Sequence, residues 1–289
     1  MTWTFTADPA VFAAAARPAL LADPVAHTNL LSVLDACLRR GPHAYGDAEG
    51  PEPVFGWWTG DEGAGAGAVG GTVVRTPPFP FLCGTLAPGA ATALPAALAV
   101  ARPDLLDGSL NVSAADAPAL AAGWGLPLRE VERLRLHRLG TLVPPDPAPA
   151  GAARPAEARD LPLLRAWYAR YAAAVGDPAP PAETVLAELV ESGRQSLWER
   201  DGEPVAMACH SPVIAGTARV MNVYTPPEAR RRGLAAAVTT AATRAARAAG
   251  AAEVLLWTDL ANPTSNGVYR RLGYLPVTER VVLAPVPRP

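Results

Sequence analysis

The sequence predicts an α/β (α+β) protein built as two similar halves, and three observations carry that expectation. The 289 residues are 50% hydrophobic and 18% charged, which suits one large domain or two of ordinary size, each with its own core. The segment "LVPPDPAPAGAARPAEARD", residues 142–160, sets several prolines among small residues, a composition that neither a helix interior nor a central strand accommodates. A linker over 144–152 is therefore expected, between a first domain 1–143 and a second 153–289. Finally, the apolar patterning on the two sides of that segment runs in a similar order.

In the second half, "AEARDLPLLRAWYARYAAAVG" and "PAETVLAELVESG" have the apolar spacing of helices, and "QSLWERDGEPVAMACHSPV" reads as two strands about an Asp201-Gly202 turn. A strand "TARVMNVYT", an Ala-rich helix after Gly233, a strand "AEVLLWTDL", a helix from Pro263 and a last apolar segment after Gly273 follow. The order is α-α-β-β-β-α-β-α-β. In the first half, "VFAAAARPALL" and "AHTNLLSVLDACLRRG" are helical, and strands are expected near "VFGWWTG", "AVGGTVVRT" and "PFLCGTL". A helical "ATALPAALAVA", a strand near "GSLNVS", a helical "ADAPALAAGWG" and a closing "EVERLRLHRL" complete a comparable series.

Several function classes are disfavoured. A net charge of -2 argues against a general nucleic-acid binder. The three cysteines, Cys37, Cys83 and Cys209, are far apart and in no metal-ligand spacing, which argues against a disulfide framework or a metal site. The N-terminus lacks the basic start and apolar stretch of a signal peptide, and arginines such as Arg244 and Arg247 interrupt the Ala-rich runs before they reach membrane-spanning length. A cytoplasmic protein without a membrane partner is expected. Gly65, Gly67 and Gly70 satisfy GxGxxG, but the β-branched run "TVVRTPP" follows them instead of a helix, so a hairpin loop is the better reading. Trp57, Trp58 and Trp124 fit a core, or the wall of an acceptor pocket.

The segment "TPPEARRRGLAAA", residues 225–237, is the informative one. Pro226 and Pro227 end the preceding strand, and the Ala-rich run after Gly233 favours a helix. A helix N-terminus offers free backbone N–H groups and the positive end of the peptide dipole, so it accepts phosphate. Arg230, Arg231 and Arg232 add guanidinium donors that match phosphate oxygens. Residues 219–280 hold nine arginines and four acids, a local excess of five positive charges within a chain of net charge -2. The positive charge is concentrated where an anion would bind.

Arg230-Arg231-Arg232-Gly233-Leu234-Ala235 matches Q/R-x-x-G-x-G/A and resembles the acyl-CoA pyrophosphate loop of the GNAT superfamily of N-acyltransferases. "VMNVYT" stands where that family has its pantetheine-pairing strand. "NPTSNGVYRRLGY" is similar to its later N-x-x-A-x-x-L-Y segment with a Gly-aromatic pair: Asn262, Tyr269, Gly273 and Tyr274 match, while Ser265 and Val268 replace Ala and Leu. The motif-bearing resemblance covers residues 205–276.

The resemblance implies a tandem fold with a mixed, mostly antiparallel sheet flanked by helices in each half. It implies direct attack of a primary amine on the thioester of acetyl-CoA (coenzyme A), the acceptor being a small molecule or peptide. Backbone groups of Val223, Tyr224 and Thr225 would line the pantetheine, the N–H groups of Arg231 to Ala236 would hold the pyrophosphate, and Asn262 would bond the cofactor or cap its helix. A backbone N–H near Val223 would meet the oxyanion, and Tyr269 would give a proton to the departing sulfur. Tyr269 lies seven residues after Asn262, about two turns along one helix face. A phenol with an ordinary pKa of about 10 stays protonated at neutral pH. His210 and Glu228 are weak candidates for a base, each with a simpler structural explanation. The first half has no equivalent of the arginine loop; "GTLAPGAATALPAAL" stands there, and a degenerate GNAT-like domain is expected. Two rival readings use the same residues: an acyl-CoA-binding sensor without catalysis, and an enzyme of another acyl-thioester reaction.

Overall fold

Strands and helices recur in the same order twice. The computed structural model describes residues 2–60, 68–176 and 180–286. The first series is β1 Thr2–Thr6, α1 Pro9–Ala22, α2 Thr28–Arg40, β2 Val54–Thr59, β3 Val69–Arg75, β4 Phe81–Cys83, α3 Pro88–Ala101, β5 Leu110–Ser113, α4 Ala117–Gly123 and β6 Leu128–Leu139. The second is β7 Ala152–Pro155, α5 Leu161–Val175, α6 Glu183–Glu191, β8 Gln195–Arg200, β9 Glu203–His210, β10 Thr217–Tyr224, α7 Leu234–Ala248, β11 Glu253–Asp259, α8 Pro263–Arg271 and β12 Tyr274–Pro285. Each series opens with a strand that patterning did not anticipate. β1 alternates Thr with Trp and Phe over only five residues, and β7, "AARP", has no alternation and is held by its pairing with β8.

Two compact units result, Met1–Arg135 with Thr278–Pro289, and Leu136–Val277. This division differs from the expected 1–143, 144–152 and 153–289. The chain leaves unit 1 within β6 and returns within β12, whose residues Arg280 to Leu283 pair antiparallel with β5. The segment 144–151 lies inside unit 2, where the Val143 N–H bonds the Leu272 carbonyl and the Trp198 indole N–H bonds the Ala150 carbonyl at 3.1 Å. Proline content marks where a helix cannot continue; it does not mark where contacts cease.

In unit 1 the order is β1-β2-β3-β4-β5, antiparallel except for the parallel pair β4–β5. In unit 2 it is β7-β8-β9-β10-β11, antiparallel except for the parallel pair β10–β11. Each parallel pair is joined by a crossover helix, α3 or α7, as parallel neighbours require. Trp58 and Trp124 are buried in the core of unit 1, with the Trp124 indole N–H on the Leu106 carbonyl, and Trp57 packs against Phe12. These aromatics are packing residues. Unit 2 has a core on each sheet face, one including Val238, Leu256 and Tyr274, the other Trp167, Leu186 and Met207. Gly65 and Gly67 lie outside the described residues, and Gly70 is in β3, which pairs antiparallel with β2.

Arg154 of β7 fastens the edge of unit 2. Its guanidinium donates to Asp160 at 2.6 and 2.9 Å and to Glu199 of β8 at 2.5 Å, and Asp160 also accepts the Glu157 N–H at 2.8 Å. The Arg154 hydrogen bonds hold the Asp160 carboxyl below its ordinary pKa, outweighing the opposing effect of burial. A depressed folded value means that the stabilisation is present above about pH 4 and disappears as acid takes the pH through the lower folded value. Asp160→Asn is predicted to cost about 2 kcal/mol at pH 7. Urea unfolding at pH 7 and pH 2.5 should show the gap between variant and wild type narrowing in acid; a gap independent of pH would refute the assignment.

Candidate functional site

β10 and β11 stay in register for only three pairs, Thr217↔Glu253, Ala218↔Val254 and Arg219↔Leu255. Beyond them β10 runs on to Tyr224 and β11 to Asp259, so the strands part at their carboxyl ends. β10 also departs from β9 there. Met221 pairs with Cys209 and Tyr224 with Met207, three steps against two, which inserts one extra residue in β10. Asn222, in the bulge, has φ 53. Neither Asn222 nor Val223 is in register with a residue of β9 or β11. Their backbone groups are released from the ladder at the opening between the strands.

The chain leaves β10 through Thr225 and a 3-10 turn, Pro227–Ala229, in which Glu228 is exposed. The loop is braced by the Arg230 Nε–H on the Thr225 carbonyl at 3.1 Å. Arg231 and Gly233 are left-handed, φ 64 and 77, which curls the loop into the start of α7. The first helical bond runs from the Ala237 N–H to the Gly233 carbonyl, and no side chain caps this terminus. The N–H groups of Leu234, Ala235 and Ala236 thus have no intrahelical acceptor. Arg230, Arg231 and Arg232 are exposed and make no ion pair with a described residue. The Thr225 hydroxyl is buried without a hydrogen-bond partner among the described residues. Near Gly233, the closest atoms to the place a Cβ would take are Pro149 ring carbons at 3.9 Å, so its approach is open.

β11 ends at a second helix N-terminus. Asn262 caps α8, its side chain accepting the Ser265 N–H at 3.1 Å, with Pro263 at the first helical position. Asn266 donates to the Asp259 and Asn262 carbonyls and accepts from the Thr258 hydroxyl at 2.7 Å, and Thr258 meets the His137 ring at 3.1 Å. One turn on, Tyr269 is 9% exposed and shares a core with Val223 and Leu234. It stands edge-on to Tyr274 at 6.3 Å, and the Tyr274 hydroxyl meets that of Thr243 on α7 at 2.6 Å. Burial, then the neighbouring Tyr171 and Tyr274, push the Tyr269 phenol well above its ordinary pKa. Of the sequence-selected residues, Val223, Leu234, Ala236 and Tyr269 pack in one core.

His210 is buried, with Nδ1 on the carbonyl of its neighbour Ser211 at 2.9 Å, and burial lowers its pKa. A buried network behind the bulge was not apparent in the sequence. Asn222 contacts Tyr168 and Cys209, and Tyr168 bonds Gln195. An Asn inside an apolar strand was the available signal, because Asn is depleted in strands and tolerates left-handed backbone.

In unit 1 the loop that leads into α3 is tied internally. The Gly84 and Ala87 N–H groups bond the Thr72 and Gly70 carbonyls of β3, and the Thr85 N–H bonds His27 Nε2 at 3.1 Å. Where β4 and β5 end their pairing, the buried Arg280 guanidinium donates to the Cys83 and Asn111 carbonyls at 2.6 and 2.7 Å and to the Asn111 side chain at 2.6 Å.

Parted parallel strands with two helix N-termini at their carboxyl ends are the kind of arrangement at which α/β folds accept anionic ligands. Residues 161–274 match the Acetyltransferase (GNAT) family model. The match spans less than half of the chain and identifies a GNAT acetyltransferase domain within it, of a family that generally uses acyl-CoA. A Drosophila protein of solved structure is 15% identical, with 99% of this chain and 98% of that one covered and a TM-score of 0.65. An acetyltransferase from the GNAT family from Colwellia psychrerythraea is 12% identical over 99% and 100%, TM-score 0.61. A GCN5-related N-acetyltransferase from Sphaerobacter thermophilus is 18% identical over 97% and 94%, TM-score 0.59. At these identities the likeness shows the fold, which in this chain comprises two GNAT-like halves. None of the curated proteins matches the chain.

Gly273, between α8 and β12, has φ 91, and a Cβ there would lie 1.9 Å from the Thr141 carbonyl oxygen. Gly273→Ala is predicted to destabilise the protein by about 3 kcal/mol or more through strain and overlap. Thermal unfolding measures it, and a loss below about 1 kcal/mol would show that the 140–143 segment can yield.

Proposed function

We propose that the protein is an N-acyltransferase that passes an acetyl (acyl) group from acetyl-CoA to a primary amine of a small molecule or peptide. Unit 2 is the catalytic unit in this reading, and unit 1 is a GNAT-like unit that does not hold the cofactor. One observation carries it: the amides opening α7 have no intrahelical acceptor and stand beside three arginines that pair with no acid among the described residues, whereas α3 opens on Pro88, which has no N–H, and residues 76–90 before and at its start hold no arginine.

The N–H groups of residues 231–236 and the guanidinium groups of Arg230 to Arg232 bind the pyrophosphate, and the backbone of Val223, Tyr224 and Thr225 pairs with the pantetheine as an added strand would. The buried Thr225 hydroxyl, without a partner among the described residues, suits a ligand contact. A backbone N–H freed by the bulge, at Val223, stabilises negative charge on the thioester oxygen; one such donor is worth about 3 to 4 kcal/mol at the transition state. Tyr269 holds its proton and gives it to the leaving sulfur. Asn262 keeps α8 capped, and its amide N–H groups face the same ligand.

Calorimetric titration with acetyl-CoA, desulfo-CoA and NAD tests the reading. One equivalent of each CoA compound and none of NAD is expected. Two equivalents would place a second site in unit 1, and none would return the arginines to a solvated surface. Gly233→Glu, which sets a carboxylate against the pyrophosphate position, is expected to abolish binding while costing about 1 to 2 kcal/mol of stability from its left-handed backbone. Unchanged affinity would remove the phosphate-loop assignment.

Turnover is tested with an amine library and detection of the CoA thiol. Tyr269→Phe is expected to lower kcat by roughly 10^2 to 10^4 with acetyl-CoA affinity within about twofold. A near-wild-type rate would leave Tyr269 a packing residue. Binding without transfer to any amine would favour a sensor.

A further inference from the structure

We propose that Tyr168 and Gln195 are positioning residues that act through Asn222, holding the bulge of β10 in the shape that turns its backbone N–H groups into the opening between β10 and β11. The catalytic consequence rests on the acyltransferase reading; the anchoring itself does not.

The restraint is needed because the ladder does not supply it. Asn222 lies at φ 53, an uncommon conformation for a residue with a side chain, and neither it nor Val223 is paired across to β9 or β11. What holds Asn222 is its side-chain amide, which donates to the Tyr168 hydroxyl at 3.3 Å and to Cys209 Sγ at 3.4 Å. Tyr168 in turn donates to Gln195 Oε1 at 2.8 Å, and Gln195 Nε2 donates to the Ala208 and Ser196 carbonyls at 3.0 and 3.3 Å.

The direction of every bond follows from those two backbone carbonyls. They accept only, so Gln195 must present its nitrogen to them and its oxygen to Tyr168. Tyr168 must then spend its one proton on Gln195, leaving an oxygen lone pair for the Asn222 amide. The chain therefore transmits orientation one way, from β8 and β9 to the bulge. Tyr168 is 1% exposed, and Gln195 and Cys209 are fully buried, among Trp167, Leu197 and Met207. Burial holds the Tyr168 phenol well above its ordinary pKa, so the hydroxyl keeps its proton across the working pH range. A polar chain this deep in an apolar core is costly unless fully paired, and its end point is the one irregular residue of the strand.

Tyr168→Phe keeps the ring and removes the hydroxyl; Asn222→Gly keeps access to positive φ and removes the anchor. In the ligand-free protein, the backbone amide resonances of Asn222 and Val223 should shift or broaden in Tyr168→Phe, while those of Ala218 and Val220 stay in place. Unchanged Asn222 and Val223 resonances would overturn the anchor whether or not the protein is an acyltransferase. In turnover, each single variant should lower kcat by roughly 10- to 100-fold, part of what loss of a whole oxyanion donor costs. The acetyl-CoA dissociation constant should stay within about twofold, and the double variant should be no slower than the worse single one, since both break one chain. Losses that multiply in the double variant, or a kcat equal to wild type, would overturn the positioning role. Failure of the wild type to bind acetyl-CoA would sink the acyltransferase reading alone, because the resonance comparison is made without ligand.

Discussion

The end of pairing between β10 and β11 after Arg219 and Leu255 is the constraint from which the site follows. Two parallel strands joined by a crossover helix both deliver their carboxyl ends to the same edge, and each leads into a helix N-terminus. Had they stayed paired to Tyr224 and Asp259, the amides of Asn222 and Val223 would be consumed in a ladder. The α7 and α8 termini would also face a closed sheet edge. Parting the strands leaves a slot whose walls are backbone donors and acceptors, with positive helix ends above it. On its other side, the bulge at Asn222 interrupts the pairing of β10 with β9 between Met221 and Tyr224.

Unit 1 shows that architecture alone does not make this site. It has the same strand order and the same single parallel pair, β4–β5, yet its hydrogen bonds close on themselves. The amides before α3 go to β3 and His27, and Arg280 ties the carbonyls of Cys83 and Asn111 across the point where the strands would part. That guanidinium is buried without a salt bridge to a described residue, and desolvation lowers its pKa, so its carbonyl and Asn111 partners carry most of the compensation. Arg280 arrives on β12, the strand that returns from the second half of the sequence.

Much of the candidate site was legible in the sequence as a strand-loop-helix junction, because loop, helix start and strand end are contiguous. Two prolines, three arginines and a glycine before an alanine run announce a strand-turn-helix junction from local propensity. Asn262 and Tyr269 are legible for the same reason, sitting on one short helix. What was not legible depends on distant pairing. Tyr168, Gln195 and Asn222 come from three elements, and each alone looks like an ordinary core or strand residue. β7 has no apolar alternation and exists because β8 offers an edge and Arg154 finds Asp160 and Glu199. The division between units was missed because it lies inside two continuous strands, β6 and β12, where composition does not change.

Burial of Tyr269 bears on its proposed chemistry in a way that its pKa alone does not. Raising the phenol's pKa makes it a weaker acid toward any fixed base, which argues at first sight against proton delivery. The acceptor in that step is not fixed, because a thiolate forming in the same dry opening loses its hydration too, and desolvation raises thiol pKa values as it raises phenol ones. Cys209, buried behind the bulge of the same unit, shows the direction: burial raises its thiol above the ordinary value. The relevant quantity is the difference between the two acids in one environment, and shared burial changes that difference less than it changes either value. In the proposed reaction a neutral phenol of high pKa then stays protonated until the sulfur departs, and it brings no standing charge to the place proposed for the thioester.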